Sequence, residues 1–70
     1  IELTVDESMQ GLKGKVVSDL DLTGDISIPC IQRGDEVLMA HGTTEINEND
    51  HLIVFYKSKE DLDLFYNKAR

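Results

Sequence analysis

Leu52, Ile53, Val54, Phe55 and Tyr56 form a run of consecutive apolar residues with no polar interruption. β-Branched and aromatic residues in a short run of this kind favour a strand. It falls far short of the ~20 residues that a membrane-spanning helix needs. A strand that is apolar at every position has to be covered on both faces. In a 70-residue chain this is a strong demand. One layer of helix covers one face, so the other face calls for a partner surface.

The helix follows at once. Ser58-Lys59-Glu60-Asp61 is a capping-box pattern with an acid at the third helical position. Leu62, Phe65, Tyr66 and Ala69 then recur at helical spacing as one apolar stripe. Glu60, Asp61 and Asp63 near the start and Lys68 and Arg70 near the end match the helix dipole.

Upstream, Ile1, Leu3 and Val5 alternate with Glu2, Thr4 and Asp6, which predicts a half-buried first strand. Residues 8–15 contain Gly11 and Gly14 and read as a loop. Val16, Val17 and Leu20 predict a short helix over 15–20, and residues 21–24 a turn. Residues 25–33 are rich in β-branched side chains and predict a second strand. Ile26, Ile28 and Cys30 would share one face, with Ser27, Pro29 and Ile31 on the other. Pro29 cannot donate to a ladder, so it needs an edge or a bulge. Gly34-Asp35 predicts a tight hairpin turn into a strand over 36–41. Residues 42–50 form a polar linker with one apolar residue, Ile46. The expected fold is one α+β domain over residues 1–70. Its sheet is small and mostly antiparallel, with a short helix after strand 1 and a C-terminal amphipathic helix.

A domain this small buries little surface, and such domains usually add a disulfide, a metal or a partner. The single cysteine, Cys30, excludes an internal disulfide and suits a reducing compartment. His41 and His51 stand apart without zinc-like companions. A partner remains, either a second copy or the rest of a longer protein from which this chain is cut. The formal net charge of −7 argues against nucleic acid and anionic membrane surfaces.

The candidate constellations have plain structural readings. Asp19, Asp21, Thr23 and Gly24 imitate the start of a calcium loop, but Cys30 stands where that loop needs a bidentate Glu. Cys30 lacks a basic setting for a thiolate and reads as a small core residue. His41 and His51 flank strands, where an end-of-strand hydrogen bond is their ordinary role. Arg33-Gly34-Asp35 is simply the hairpin turn. No phosphate loop, nucleophile elbow or HExxH motif occurs, and no catalytic residue is nominated.

Three stretches then carry a family likeness: Gly14-Lys15-Val16-Val17-Ser18-Asp19-Leu20-Asp21-Leu22, the segment Ile31 to His41, and Thr44 to Phe55. Ile31 and Arg33 end one strand, and Glu48 and Asp50 precede the apolar run from Leu52. In this order they resemble the C-terminal RCK (regulator of potassium conductance) family, also called TrkA-C. The resemblance implies a regulatory domain without chemistry that pairs as a homodimer. It implies a cytoplasmic protein peripheral to the inner membrane through a potassium-translocating membrane subunit, with no membrane insertion of its own. Cofactors are expected to be none in this domain, because nucleotide binding belongs to a preceding Rossmann domain.

Leu52, Val54, Tyr56, Phe65 and Tyr66 are the expected core and interface residues. Arg33, which could serve a small anion, and His41 are the candidates for a ligand cleft. The ordinary role of Arg33 would be an ion pair with Asp35 or Glu36 at the strand end. Some family members bind a cyclic dinucleotide through an Arg and an Asn around the start of the second strand. Thr23-Gly24-Asp25 has neither residue, and Asp21 and Asp25 would repel an anion, so such binding is not expected. The alternative reading is a nucleotide- or divalent-cation-sensing domain of another cation transporter or antiporter.

Overall fold

A computed structural model describes residues 1–22 and 24–70. Thr23, and with it that position of the expected turn, the calcium-like pattern and the Thr23-Gly24-Asp25 stretch, lies outside the described residues. The strands are β1 (Glu2–Thr4), β2 (Ile26–Arg33), β3 (Glu36–Met39) and β4 (His51–Tyr56), followed by helix α1 (Lys59–Ala69). They form one antiparallel sheet in the order β1-β4-β2-β3. The apolar run is therefore an inner strand, the position its composition demands.

The expected short helix is only a 3-10 turn, Val17–Leu20. Its last residue, Leu20, is buried, and Asp21 ends it with φ 53. Few residues are available there, and the paired acids in the turn favour no longer helix. The hairpin turn is as expected. Arg33 pairs with Glu36 across Gly34-Asp35, and Gly34 takes φ +60. Asp35 is not among the positive-φ residues, which makes the turn type II′. β3 ends at Met39, two residues short of the expected strand.

The face assignment in β2 needs correction. Ser27 pairs with Phe55 but Cys30 pairs with Ile53, so two residues, Ile28 and Pro29, stand opposite Val54. This bulge places the proline inside an inner strand. It also reverses the alternation: Ile26, Ile28 and Ile31 are all buried, while Cys30 turns to the opposite face.

Helix α1 packs across β2 and β4. Beneath it the core joins Val54, Leu52, Ile31 and Ile28 to Phe65 and Ala69. Two fully buried core residues, Leu12 and Ile46, come from segments read as loop and linker. The 8–15 segment is held by backbone bonds, Gly11 N–H to Ala69 O (3.1 Å) and Gly14 N–H to Ile46 O (2.8 Å). The capping box is formed: the Asp61 N–H donates to Ser58 Oγ, and the Ser58 N–H donates to the Asp61 carboxylate. Tyr66 departs from the expected stripe. It is 39% exposed, beside a buried Phe65. Among the described residues no helix is long and apolar enough to cross a membrane.

Candidate functional site

The one buried charged side chain of the described residues is Asp50, 1% exposed, in the tight turn before β4. Asn49 takes φ 73 and tightens that turn. Arg33, at the end of β2, donates through Nε to Asp50 Oδ1 (2.9 Å) and through a terminal nitrogen to Oδ2 (2.8 Å). The Asn47 N–H also donates to Oδ2 at 2.8 Å. The same Arg33 nitrogen donates to the Glu45 carbonyl at 2.8 Å. Burial pushes the Asp50 carboxyl up, but the hydrogen bonds from Arg33 and Asn47 and the nearby positive charge hold it below its ordinary value. The hydrogen bonds that Arg33 donates to Asp50 raise the Arg33 pKa against the opposing effect of desolvation.

This pair corrects the expected partner of Arg33, which was Asp35 or Glu36. Glu36 faces Arg33 across the hairpin but is exposed, so water already satisfies it. The carboxylate removed from water has the stronger need for the cation. Through Nε and one terminal nitrogen, Arg33 ties β2 to the 45–50 turn.

His41, the other cleft candidate, is exposed beyond the far end of the β2–β3 hairpin. Its backbone N–H donates to Thr44 Oγ1 at 2.9 Å. β3 separates it from Arg33, and the two do not form one site. The other histidine, His51, has Nδ1 3.0 Å from Glu2 Oε1 and 3.1 Å from Thr4 Oγ1. Among the described residues no group of three His, Cys, Asp or Glu side chains could hold a metal ion.

The feature with the greatest reach is the sheet face opposite α1. Paired residues of antiparallel strands point to the same side. One row across the sheet is therefore Glu2, Ile53, Cys30 and Met39; a second is Thr4, His51, Gln32 and Val37; Phe55 and Ser27 start a third. Apolar side chains on this face stand in water: Phe55 is 61% exposed, Val37 67% and Met39 69%. Of the residues expected as core and interface, Leu52, Val54 and Phe65 are fully buried under α1. Tyr56 and Tyr66 are surface residues. The exposed face belongs to Phe55, Val37 and Met39, which period-two alternation within the strands could have singled out.

Two grooves lie elsewhere. One, about 570 Å³, runs between Ser8-Met9 and the helix residues Asp63, Tyr66 and Asn67. The other, about 500 Å³, is lined by Gly11, Lys15, Asp19, Leu20, Asp21 and Lys68. In the second, Lys68 Nζ donates to the Leu20 carbonyl at 3.0 Å. Neither groove includes Arg33 or His41.

No protein-family model matches the chain. Among curated proteins it is similar to the Trk system potassium uptake protein TrkA of Vibrio alginolyticus, 38% identical over 55 residues, 79% of this chain. It is also similar to the TrkA of Halomonas elongata, 37% identical over 46 residues, 66% of this chain. The matched parts are 12% and 10% of those proteins, so the chain corresponds to a small portion of each. Among solved structures, an RCK domain with cda superposes with a TM-score of 0.76 at 24% identity, over 100% of this chain and 96% of that one. The RCK_C domain dimer of Streptococcus agalactiae BusR in complex with c-di-AMP gives 0.71 at 18% identity, over 96% and 93%. BusR in complex with its busAB-promoter DNA gives 0.70 at 19%, over 99% of this chain and 34% of that one. The chain thus has the fold of an RCK domain and is similar in sequence to a portion of the TrkA proteins.

Proposed function

We propose that the chain is a regulatory and dimerisation domain of a cytoplasmic potassium-uptake regulator, one module of a longer protein whose partner is a potassium-translocating membrane subunit. The similarity to the two TrkA proteins, carried on a full-length RCK fold, is the observation that supports this reading most directly. The RCK_C dimer of BusR favours a homodimer. In this reading the domain performs no chemistry and holds no cofactor. It sets the relative geometry of two subunits, so that a change elsewhere in the regulator reaches the transporter.

The test is potassium uptake by cells carrying the full-length regulator. Arg33→Met, which uncouples β2 from the 45–50 turn and destabilises the domain, is expected to impair regulated uptake, read against the amount of regulator in the cells. Normal uptake in a strain whose regulator lacks residues 1–70 altogether would count against a regulatory role.

A second reading, a small-ligand sensor of another cation transporter, is favoured by the neighbours solved with cda and with c-di-AMP. A melting-temperature titration with c-di-AMP, nucleotides and Ca²⁺ separates the two. A saturable rise with one ligand supports sensing, and a flat response across the panel supports the first reading.

A further inference from the structure

We infer that the free edge of β3, at Val37 and Met39, takes an extended cationic segment of another protein as a further strand of the sheet. The backbone groups concerned lie in the plane of the sheet. The contact is therefore separate from the open face and does not rest on the dimer reading above.

The hydrogen-bond pattern exposes the edge. β3 is the outer strand beside β2, and the Ala40 N–H donates to the Pro29 carbonyl at 3.1 Å. Bonded pairs alternate along an antiparallel ladder, so Leu38 and Glu36 also bond to β2, opposite Ile31 and Arg33. The N–H and C=O groups of Val37 and Met39 then point away from β2, about 7 Å apart, the repeat that an added strand needs. Their side chains are 67% and 69% exposed, and among the described residues no strand lies beyond them. Proteins commonly blunt such an edge with a lysine, a proline or a bulge. β3 has none of these.

Charge selects the occupant. No Lys or Arg stands between Arg33 and Lys57, a stretch with five acids. Asp50 is held by Arg33, and Glu48 faces Lys13 at 3.5 Å. Asp35 and Glu36, at the entry to β3, join no ion pair among the described residues. Two exposed carboxylates at one end of an open ladder attract a strand that carries Lys or Arg. They repel phosphates, whether of nucleic acid or of a lipid surface. A second copy has no such strand to offer. Of the four strands only β2 contains a Lys or Arg, and that residue, Arg33, is bound to Asp50. A second β3 would bring its own Asp35 and Glu36. The partner segment therefore alternates, apolar on the side of Val37 and Met39 and basic on the side of Glu36.

The probe is an end-blocked octapeptide of four Lys-Val repeats, titrated to about 1 mM into the 70-residue chain and followed by amide NMR signals. The Val37 and Met39 amides are expected to shift saturably and to exchange with deuterium at least about threefold more slowly. Met39→Pro removes an outward N–H at an edge, where proline is tolerated, and should weaken binding at least about tenfold. The double variant Asp35→Asn, Glu36→Gln keeps the ladder and should weaken binding at least about threefold, more at low salt than at high. If Met39→Pro fails to fold, the double variant decides. A peptide of four Lys-Pro repeats has the same charge without a strand-forming backbone, and should leave the two amides unmoved. Equal shifts with that peptide would reduce the contact to charge alone and overturn the added strand, as would silence of Val37 and Met39 throughout the titration. Protection of these amides that grows with the concentration of the chain alone would put a second copy on the edge and overturn the cationic partner.

Discussion

At the scale of single residues, Arg33 and Asp50 show how a buried charge organises a turn. Asp50 is 1% exposed, and its oxygens accept from Arg33 and from the Asn47 N–H. Removing the cation leaves a carboxylate out of water without its partner, which costs about 3 kcal/mol or more. Arg33→Met is therefore expected to lower the urea midpoint sharply, whereas Glu36→Gln, at an exposed position, should move it little. The pair also has a pH signature. The folded-state pKa of Asp50 lies below its ordinary value, so its ionised form contributes stability in full above the unfolded pKa of about 3.9. That contribution disappears as pH falls through the folded value. The stability gap between wild type and Asp50→Asn should be wide at neutral pH and close in acid; a gap that widens on acidification would refute it. Arg33 and Asp50 were both legible in the sequence as parts of a family pattern. Their partnership was not, because sequence distance favours Asp35 and Glu36 while burial decides the matter.

At the scale of elements, patterns with a local cause were readable and those with a tertiary cause were not. The capping box of α1 is local chemistry over four residues, and it forms as the spacing predicts. Ser58→Ala should cost about 1 kcal/mol, measured by thermal or urea unfolding. The II′ turn at Gly34-Asp35 is local as well. The bulge at Ile28-Pro29 needed the neighbouring strand: Pro29 announces a break in the ladder, but only pairing with β4 says that the break is a bulge in an inner strand. The same holds for the 8–15 segment, whose glycines read as a loop. Leu12 is nevertheless fully buried, because the segment is anchored to the end of α1. Gly11 is the point of closest approach, where an added Cβ would collide with the Lys68 backbone carbonyl. Backbone cannot yield as a side-chain tip does, so Gly11→Ala is expected to cost about 1–3 kcal/mol by overpacking. A melting temperature equal to wild type in that variant would mean that the loop and the helix end are not in contact.

At the scale of the whole molecule, the apolar run from Leu52 asked for cover on two faces, and the fold provides one. Leu52 and Val54 lie fully buried under α1, while Phe55 remains 61% exposed on the other side. The sequence carried that demand but not its geometry, since alternation within β4 is masked by apolar residues at every position. Net charge governs what happens when two copies meet. Each carries −7, so a dimer gathers −14 (twice −7) into a small volume. Salt screens the repulsion between them over a Debye length that shrinks from about 30 Å at 0.01 M to about 3 Å at 1 M. Association should accordingly tighten as salt rises, and apolar burial, which salt does not weaken, should persist. Sedimentation in low and high NaCl at pH 7 measures this directly. A dissociation constant that falls with salt is the expected result. One that rises would point instead to ion pairs across the interface.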